Sequence, residues 1–359
     1  MDQPSITINN KIVFFISFIL NIGGGSAIPL LTRLYFIHGG SRTWLMSWIQ
    51  SCGCPILLIP LAISYFNRLK TEGTNARLTF TRPLWFLYLV FVGLILGLAA
   101  FLYAKGLQTL PVSTATILSA TSLVFLAFFA FLFVKQKFDA YTINAIVLLL
   151  VGAVLLGLRS GNDRPQGETK KAYILGFILT LVSAVVTGMA FPAIELMYRK
   201  TKQQINFTFM MEVQFVVSIF SAAFTTVAML INKDFKAIPG EAKDFELGEA
   251  KYYIILVFTC IIAQLYTLGV YGTIFSASAL LAGIGNATIF PITEVFSVIT
   301  FHEKFQAEKV VSLVLSLWGL ASHFYGEYKR EKKIQVKEAE IATISSTSII
   351  ESTPANSQV

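Results

Sequence analysis

The sequence predicts an all-α membrane protein whose ten transmembrane helices form two inverted five-helix repeats, and three observations lead to this prediction. Hydrophobic residues make up 55% of the 359-residue chain and charged residues only 13%, about half the charged share of a soluble domain. Apolar runs as long as a spanning helix, roughly 20 residues, recur between short polar breaks. The two halves of the chain also resemble each other at a constant offset.

The apolar runs define ten predicted spans, each bounded by polar residues, glycine or proline. The third and fourth spans are separated before Pro111, a residue that suits the first turn of a helix. The eighth and ninth share one uncharged run, 252–293, which is too long for a single span and is expected to break near 272–278. The predicted spans are 11–33, 43–66, 83–105, 111–134, 139–158, 173–198, 207–231, 252–273, 278–301 and 307–327.

These spans divide the chain into five predicted segments. Two are the five-helix repeats, and the other three are polar segments at the ends and in the middle of the chain. Another polar stretch, 232–251, is also interpreted as an aqueous loop. The five segments are a polar N-terminal segment 1–10, a first repeat 11–158, an aqueous loop 159–172, a second repeat 173–328 and a disordered cytosolic tail 329–359.

The internal repeat rests on a gap-free shift of 167 residues. This shift lays KQKF (135–138) on HEKF (302–305) and Gly152 on Gly319. It maps spans four and five on spans nine and ten, and a separation of five spans, an odd number, gives the two halves opposite orientations in the membrane. Inverted repeats that meet at the midplane are a common architecture of secondary transporters.

Five stretches of the sequence together resemble the plant purine permeases, a family of the drug/metabolite transporter superfamily. The stretches are 23–61, which begins GGGSAIPLLTRLYF, 110–138, FPAIELMYRK (191–200), MEVQFV (211–216) and 294–329. The resemblance covers roughly residues 10–330 and implies ten helices in two inverted halves. It also implies proton-coupled import of purine nucleobases, cytokinins and related heterocycles, including pyridoxine and some alkaloids.

The chain departs from the family pattern at two places. Ile28-Pro29 stands where many members read Gly-Pro, and Cys52-Gly53-Cys54 replaces a more usual Thr-Ala-Gly. These changes are expected to tune which ring is accepted.

Glu294 is the first candidate for proton coupling. It lies halfway along predicted span nine, with Lys251 as the previous charged residue. A lone carboxylate at this depth is costly unless it is neutral or paired, so intramembrane acids often mark ion pathways. The alternative is a protonated structural glutamate bonded to a neighbouring helix. The shift that defines the repeat places Ala127 at the corresponding position, so the two halves differ chemically here.

The same span predicts a substrate face. Asn286, Phe290, Thr293 and Glu294 follow the i, i+4, i+7, i+8 spacing of one helix face. An amide, an aromatic ring and a carboxylate on one face suit a purine, which offers two π faces and an edge of donors and acceptors. The competing interpretation of Phe290 is ordinary packing, because the chain contains 31 phenylalanines.

Glu195 is the second candidate for proton coupling, near the end of span six. Pro192, three residues earlier, is placed to kink the helix and expose this carboxylate to a cavity. The equally weighted alternative is a structural salt bridge to Arg199 at i+4.

Further candidate binding residues are polar groups inside spans. Gln264 is an amide that needs a partner in lipid, and either a neighbouring helix or a ligand can supply it. Tyr271, seven residues later, is expected on the same face. Asn21 precedes Gly23-Gly24-Gly25, a pattern typical of close packing or a hinge.

Several classes of function are disfavoured by what the sequence lacks. It has no GxxxxGK[ST] loop for ATP and no HExxH, and its three cysteines carry no metal-ligand spacing and are interpreted as small core residues. No cofactor and no metal are therefore predicted. The predicted spans hold no mid-span Lys or Arg for an anionic cargo, which favours a neutral or weakly basic solute.

The predicted partners are a small heterocycle (a purine base or cytokinin), protons and the lipid bilayer. Nucleic acid is not expected, because the basic residues behind the +8 net charge lie between apolar runs and in the tail. The family resemblance and the charge distribution place the protein in the plasma membrane with both termini cytosolic, and no oligomeric state is predicted. The alternatives are a carrier of other amphipathic heterocycles, such as pyridoxine or alkaloids, and a membrane-embedded enzyme or receptor.

Overall fold

The computed structural model describes residues 8–72, 83–109, 118–119, 121–158, 170–201, 207–301, 310–330 and 332. Within these residues the secondary structure is helical, with short turns and no strand. Pro111, most of the predicted loop 159–172 and most of the predicted tail lie outside them. The helices are α1 (Ile8–Ile37), α2 (Thr43–Cys52), α3 (Leu58–Glu72), α4 (Pro83–Thr109), α5 (Ser122–Val134), α6 (Ala140–Leu158), α7 (Lys170–Lys200), α8 (Phe207–Ile231), α9 (Asp234–Asp244), α10 (Glu249–Ser276), α11 (Ala279–Phe301) and α12 (310–330).

The helical membrane class is confirmed by the length and composition of these helices. Six described segments are long and apolar enough to cross a membrane: Ile12–Ile37, Thr43–Lys70, Pro83–Gly106, Tyr173–Lys200, Phe207–Ile231 and Glu249–Ser276. Three shorter apolar helices occupy Ser122–Val134, Ala140–Gly152 and Ala279–Thr293. Large apolar side chains such as Leu84 and Ile231 point outward, 76% and 77% exposed. This is the surface expected of helices that face hydrocarbon.

Predicted span two is interrupted near its middle. A 3-10 turn, Cys54–Leu57, separates α2 from α3. The interruption follows from Pro55, because proline has no N–H to donate and its ring disfavours a continuous helix. The expected break between spans eight and nine also occurs, at residues 277–278.

The polar stretch 232–251, interpreted above as an aqueous loop, contains helix α9. Phe235 and Ile238 on α9, with Phe245 just after it, pack into a hydrophobic cluster formed with the ends of α1, α2 and α10. The Pro and Gly in this stretch favoured a loop, but its apolar residues recur at helical spacing and outweigh that signal.

Helices from the two predicted halves pack against each other. Helix α1 packs against α10 and α11, and α7 packs against α4 and α5. Helix α1 is predicted span one and packs against spans eight and nine, whereas α7 is predicted span six and packs against spans three and four. A shift of five spans relates one set of contacts to the other. Very close approaches underlie the packing: a Cβ on Gly269 of α10 would lie 2.3 Å from the backbone nitrogen of Asn21.

Candidate functional site

Asn286 and Thr293 lie on the face of α11 that meets α10 and α1. The Asn286 Oδ1 accepts a hydrogen bond of 3.2 Å from the Tyr266 hydroxyl. The Thr293 hydroxyl approaches the backbone carbonyl of Ser26 at 3.5 Å. Both side chains are half-buried. Tyr266 was not predicted, because its partner lies 20 residues away across a turn that sequence spacing does not resolve.

Phe290 and Glu294 also lie on α11, but their side chains are outside the residues that the structure describes. Their proposed roles in stacking and proton coupling therefore remain predictions.

Asn21 joins α1 to α11 in the interior of the bundle. Its Nδ2 donates to the carbonyl of Ala282 at 3.4 Å, and the residue is fully buried. Its Oδ1 has no hydrogen-bond partner among the described residues. A Cβ on Gly285 would lie 3.1 Å from the Asn21 Nδ2, so the helices meet closely around this amide. Asn21 thus acts as a tie between helices, with one buried acceptor still unbonded.

Gln264 faces a different part of the bundle, at the interruption of span two. Its Nε2 donates to the carbonyls of Gln50 and Ser51, at 3.1 and 3.5 Å. Residue 55, which would donate to the Ser51 carbonyl in a continuous helix, is a proline without an N–H. The Gly53 N–H and the Gln264 amide donate to this carbonyl at the end of α2. Gln214 on α8 then donates to the Gln264 backbone oxygen (3.1 Å) and to its Oε1 (3.4 Å).

Tyr271 lies in the main buried cluster together with Tyr198 of α7. It is 3% exposed. Tyr271 and Gln264 were expected to share one face of α10. Gln264, however, forms its hydrogen bonds with α2 and α8, whereas Tyr271 packs in the buried cluster. The predicted binding residues are therefore divided among the α1–α11 contact, the Asn286 face, the α2 interruption and this cluster.

Among the described residues, Glu195 is buried and makes the salt bridge to Arg199 that was predicted as the structural alternative, rather than facing a cavity. It is 3% exposed, and its Oε1 lies 2.5 Å from the Arg199 Nη2, an ion pair between positions i and i+4. Its Oε2 accepts the backbone N–H of Ala279, the first residue of α11, at 2.7 Å. A carboxylate is favourable at a helix N-terminus because the unpaired N–H groups there carry partial positive charge. Arg199 also donates to the carbonyl of Val134 at the end of α5 (3.2 Å).

A groove of about 520 Å³ lies between α3 and α8. Its polar lining residues are Ser64, Asn67, Arg68 and Thr208. The Ser64 and Thr208 hydroxyls bond each other at 2.8 Å across it. The lining residues include none of the predicted site residues, so the groove and the polar groups on α11 are separate features.

A polar cluster lies at the C-terminal end of α1, and it was not predicted from the sequence. Glu241 of α9 accepts hydrogen bonds from the hydroxyls of Tyr35 and of Tyr252. Arg42 lies 3.0 Å from the buried Asp234 and 3.5 Å from Glu241. These five residues, called the α9 clamp below, join the end of α1 to α9 and α10. The cluster was not predicted because its members lie far apart along the chain.

Comparison with known proteins identifies the family. The family described as purine nucleobase transmembrane transport matches residues 12–333. The chain belongs to the purine permease family. Purine permease 3 of Arabidopsis thaliana is 43% identical over 343 residues, covering 94% of this chain and 98% of the relative. Purine permease 2 of the same plant is 41% identical, covering 92% of this chain and 95% of the relative.

The fold of this purine permease family member is shared with more distant proteins. A solved crystal structure matches with a TM-score of 0.63 over 90% of this chain and 99% of that chain. The two sequences are 14% identical, so the likeness is one of fold alone. The family names describe permeases, which move solutes and are not enzymes.

Proposed function

We propose that this chain is a proton-coupled secondary active transporter that imports purine nucleobases and adenine derivatives such as cytokinins by alternating access. The observation that carries the substrate class is membership of the purine permease family over residues 12–333. The chain would act in the plasma membrane, with both termini cytosolic and ten spans in two inverted repeats, 11–158 and 173–328.

The Asn286–Tyr266 pair supports recognition of a purine edge. Among the described residues, Asn286 is bonded only through its Oδ1, to Tyr266. The Tyr266 bond fixes the orientation of the amide and would leave its Nδ2 to donate to a ring nitrogen. Asn and Gln amides suit adenine edges because they pair one donor with one acceptor. Phe290, Gln264, Tyr271, Thr293 and Asn21 remain the other proposed contacts.

Proton coupling is proposed at Glu294 and Glu195, and the surroundings of Glu195 supply a mechanism. The ionised carboxylate holds Arg199 and the first N–H of α11 together. Protonation removes the charge that both contacts depend on, because ion pairs and charge-assisted hydrogen bonds need the ionised form. A proton at Glu195 would therefore release the start of α11 from α7. Since Asn286 lies on α11, this release links proton binding to the substrate face.

Alternating access is supported by the packing between the predicted halves and by the position of the α9 clamp. The clamp ties α1 to α9 and α10 at one end of the bundle. At the other end Arg199 of α7, which is paired with Glu195, donates to the Val134 carbonyl at the end of α5. Contacts at opposite ends that join the two halves are suited to alternate opening. Rocking of inverted repeats about a central site is a common form of this mechanism.

The test is uptake of labelled adenine by yeast that lacks its own base permeases, with and without a protonophore. We expect uptake above the background of empty cells, and its loss on addition of the protonophore. Uptake that the protonophore leaves unchanged would remove the coupling claim. Absence of uptake of any purine by protein present at the cell surface would remove the substrate class.

The coupling residues are tested separately. Glu195→Gln and Glu294→Gln should each lose concentrative uptake while still allowing exchange of adenine across the membrane. Glu327→Gln is the control, because Glu327 pairs with Arg330 at the partly exposed end of α12. Full concentrative uptake by either test variant would remove that residue from the coupling mechanism.

A further inference from the structure

Two of the three cysteines in the chain face each other across a helix contact. Cys52 is the last residue of α2, and its Sγ lies 3.8 Å from the Sγ of Cys260 on α10. Both side chains are partly exposed, whereas Cys54, two residues along, is buried. This pairing was not predicted from the sequence, because 208 residues separate the partners.

We propose that Cys52 and Cys260 form a redox-modification site that a peroxide converts into a disulfide. One thiol loses its proton, and the resulting thiolate attacks a peroxide oxygen. The O–O bond breaks, which gives a sulfenic acid and a hydroxide that takes up the released proton and becomes water. The second sulfur then attacks the sulfenic sulfur and the S–O bond breaks, which forms the S–S bond and releases a second water molecule. Two thiols lose two electrons and two protons, and hydrogen peroxide is reduced to two molecules of water.

The geometry at this position is close to what a disulfide needs. A disulfide has an S–S length of about 2.05 Å, so the two sulfurs must approach each other from their present 3.8 Å. The backbones are already near each other: a Cβ on Gly53 would lie 2.7 Å from the Cys260 Sγ and 3.2 Å from the Cys260 carbonyl oxygen. Rotation of the two side chains is expected to bring the sulfurs together.

The disulfide would fix the interruption of span two. Cys52 ends α2 immediately before the 3-10 turn, and the Gln264 amide, one helical turn after Cys260, bonds the carbonyls of the same α2 end. Helices broken near the membrane midplane form the substrate sites of many secondary transporters, and the repeats rock against each other around these sites. A covalent bond from α2 to α10 would therefore lock the two predicted halves together. The transport consequence rests on the proposed function, whereas formation of the bond does not.

The experiment treats the purified full-length protein with hydrogen peroxide and measures the free thiols by alkylation and mass spectrometry. We expect a peptide pair joined through Cys52 and Cys260, lighter by two hydrogens than the reduced pair. Cys54→Ser should still form the bond, whereas Cys52→Ser and Cys260→Ser should not. Oxidation of Cys52 and Cys260 to separate sulfinic acids, or a bond that involves Cys54, would overturn the proposal.

Uptake of adenine in cells tests the functional consequence. Peroxide should lower uptake severalfold in the unsubstituted protein and in Cys54→Ser, and dithiothreitol should restore it. Cys52→Ser and Cys260→Ser should keep their uptake under peroxide. Equal inhibition of these two variants would overturn the locking role. If no purine is taken up before oxidation, the proposed function fails, and the crosslinking result still decides whether the site exists.

Discussion

Gly152 on α6 and Gly319 on α12 pack against each other's helices in a reciprocal arrangement. A Cβ on Gly152 would lie 3.3 Å from the carbonyl oxygen of Ser312, and one on Gly319 would lie 3.1 Å from the carbonyl oxygen of Ala145. The 167-residue shift that relates the two glycines also relates Ala145 to Ser312. Each half thus supplies a glycine and a small residue to one contact, as expected of an inverted repeat.

Enlarging either glycine should weaken this contact. Gly152→Val and Gly319→Val are each expected to cost about 1–3 kcal/mol, because the added atoms meet backbone that has little room to move. Gly23→Val is the control, since a Cβ there meets nothing within 4 Å. The measurement is the unfolding temperature of the purified protein in detergent. Equal unfolding temperatures for all three variants would contradict the reciprocal packing.

Gln264 and Pro55 should be energetically coupled. Gln264→Leu leaves the Gln50 and Ser51 carbonyls without the amide donor, and an unpaired buried polar group costs about 1–3 kcal/mol. Pro55→Ala restores a backbone N–H that can bond Ser51. The loss caused by Gln264→Leu should therefore be smaller in the Pro55→Ala background, and a double-mutant cycle measures the difference. Strict additivity would show that the amide does not cap α2.

The class and the family follow from the sequence, and the details of the polar contacts do not. The apolar runs indicate helices, and the stretches that resemble purine permeases indicate the family. Both signals can be recognised because they are local or are repeated along the chain. The Tyr266–Asn286 and Gln214–Gln264 bonds depend on which faces of distant helices meet. In an apolar bundle every face is hydrophobic, so periodicity does not reveal these faces. The inverted arrangement of ten spans and the transport site remain predictions.

The α9 clamp should contribute to stability through Arg42. Removing this guanidinium leaves the buried Asp234 carboxylate without its cation. Breaking a fully buried pair costs about 3–5 kcal/mol. Arg42 is 36% exposed, so about 1–2 kcal/mol is expected for Arg42→Ala. Lys236→Ala is the control, because Lys236 is an exposed cation on the same helix as Asp234, α9. Loss of stability no larger than in this control would show that the clamp is not a stabilising contact.

Asp139 should make stability depend on pH in the acid range. It precedes α6 outside the apolar helix, and its Oδ1 accepts the Thr142 N–H at 2.8 Å. Burial raises the pKa of this carboxyl, but the hydrogen bonds from Thr142 and the nearby His323 and Arg330 outweigh it and lower the pKa below its ordinary value of 3.8. A lowered pKa in the folded state stabilises the protein above the unfolded-state pKa, and this contribution is lost as pH falls through the folded value.

The comparison for Asp139 is Asp139→Asn, which keeps the oxygen that accepts from Thr142 and removes the charge. The variant should be less stable than the unsubstituted protein at neutral pH, and the difference should close as pH falls below about 3.8. Unfolding temperatures measured from neutral pH to pH 3 provide the test. A constant difference across that range would exclude the ionised form as the source of stability.

Asn286 should set the affinity for the purine, with Tyr266 acting through it. Asn286→Ala removes a proposed hydrogen bond to the substrate, worth about 0.5–1.5 kcal/mol, so KM for adenine should rise roughly two- to thirteenfold. Tyr266→Phe frees the amide to rotate and should raise KM less, because Asn286 can still reach the ring. Thr288→Val is the control on the same helix, since the Thr288 hydroxyl bonds the carbonyl of Ile284 one turn earlier. Unchanged KM in Asn286→Ala, or an equal rise in Thr288→Val, would place the purine elsewhere in the bundle.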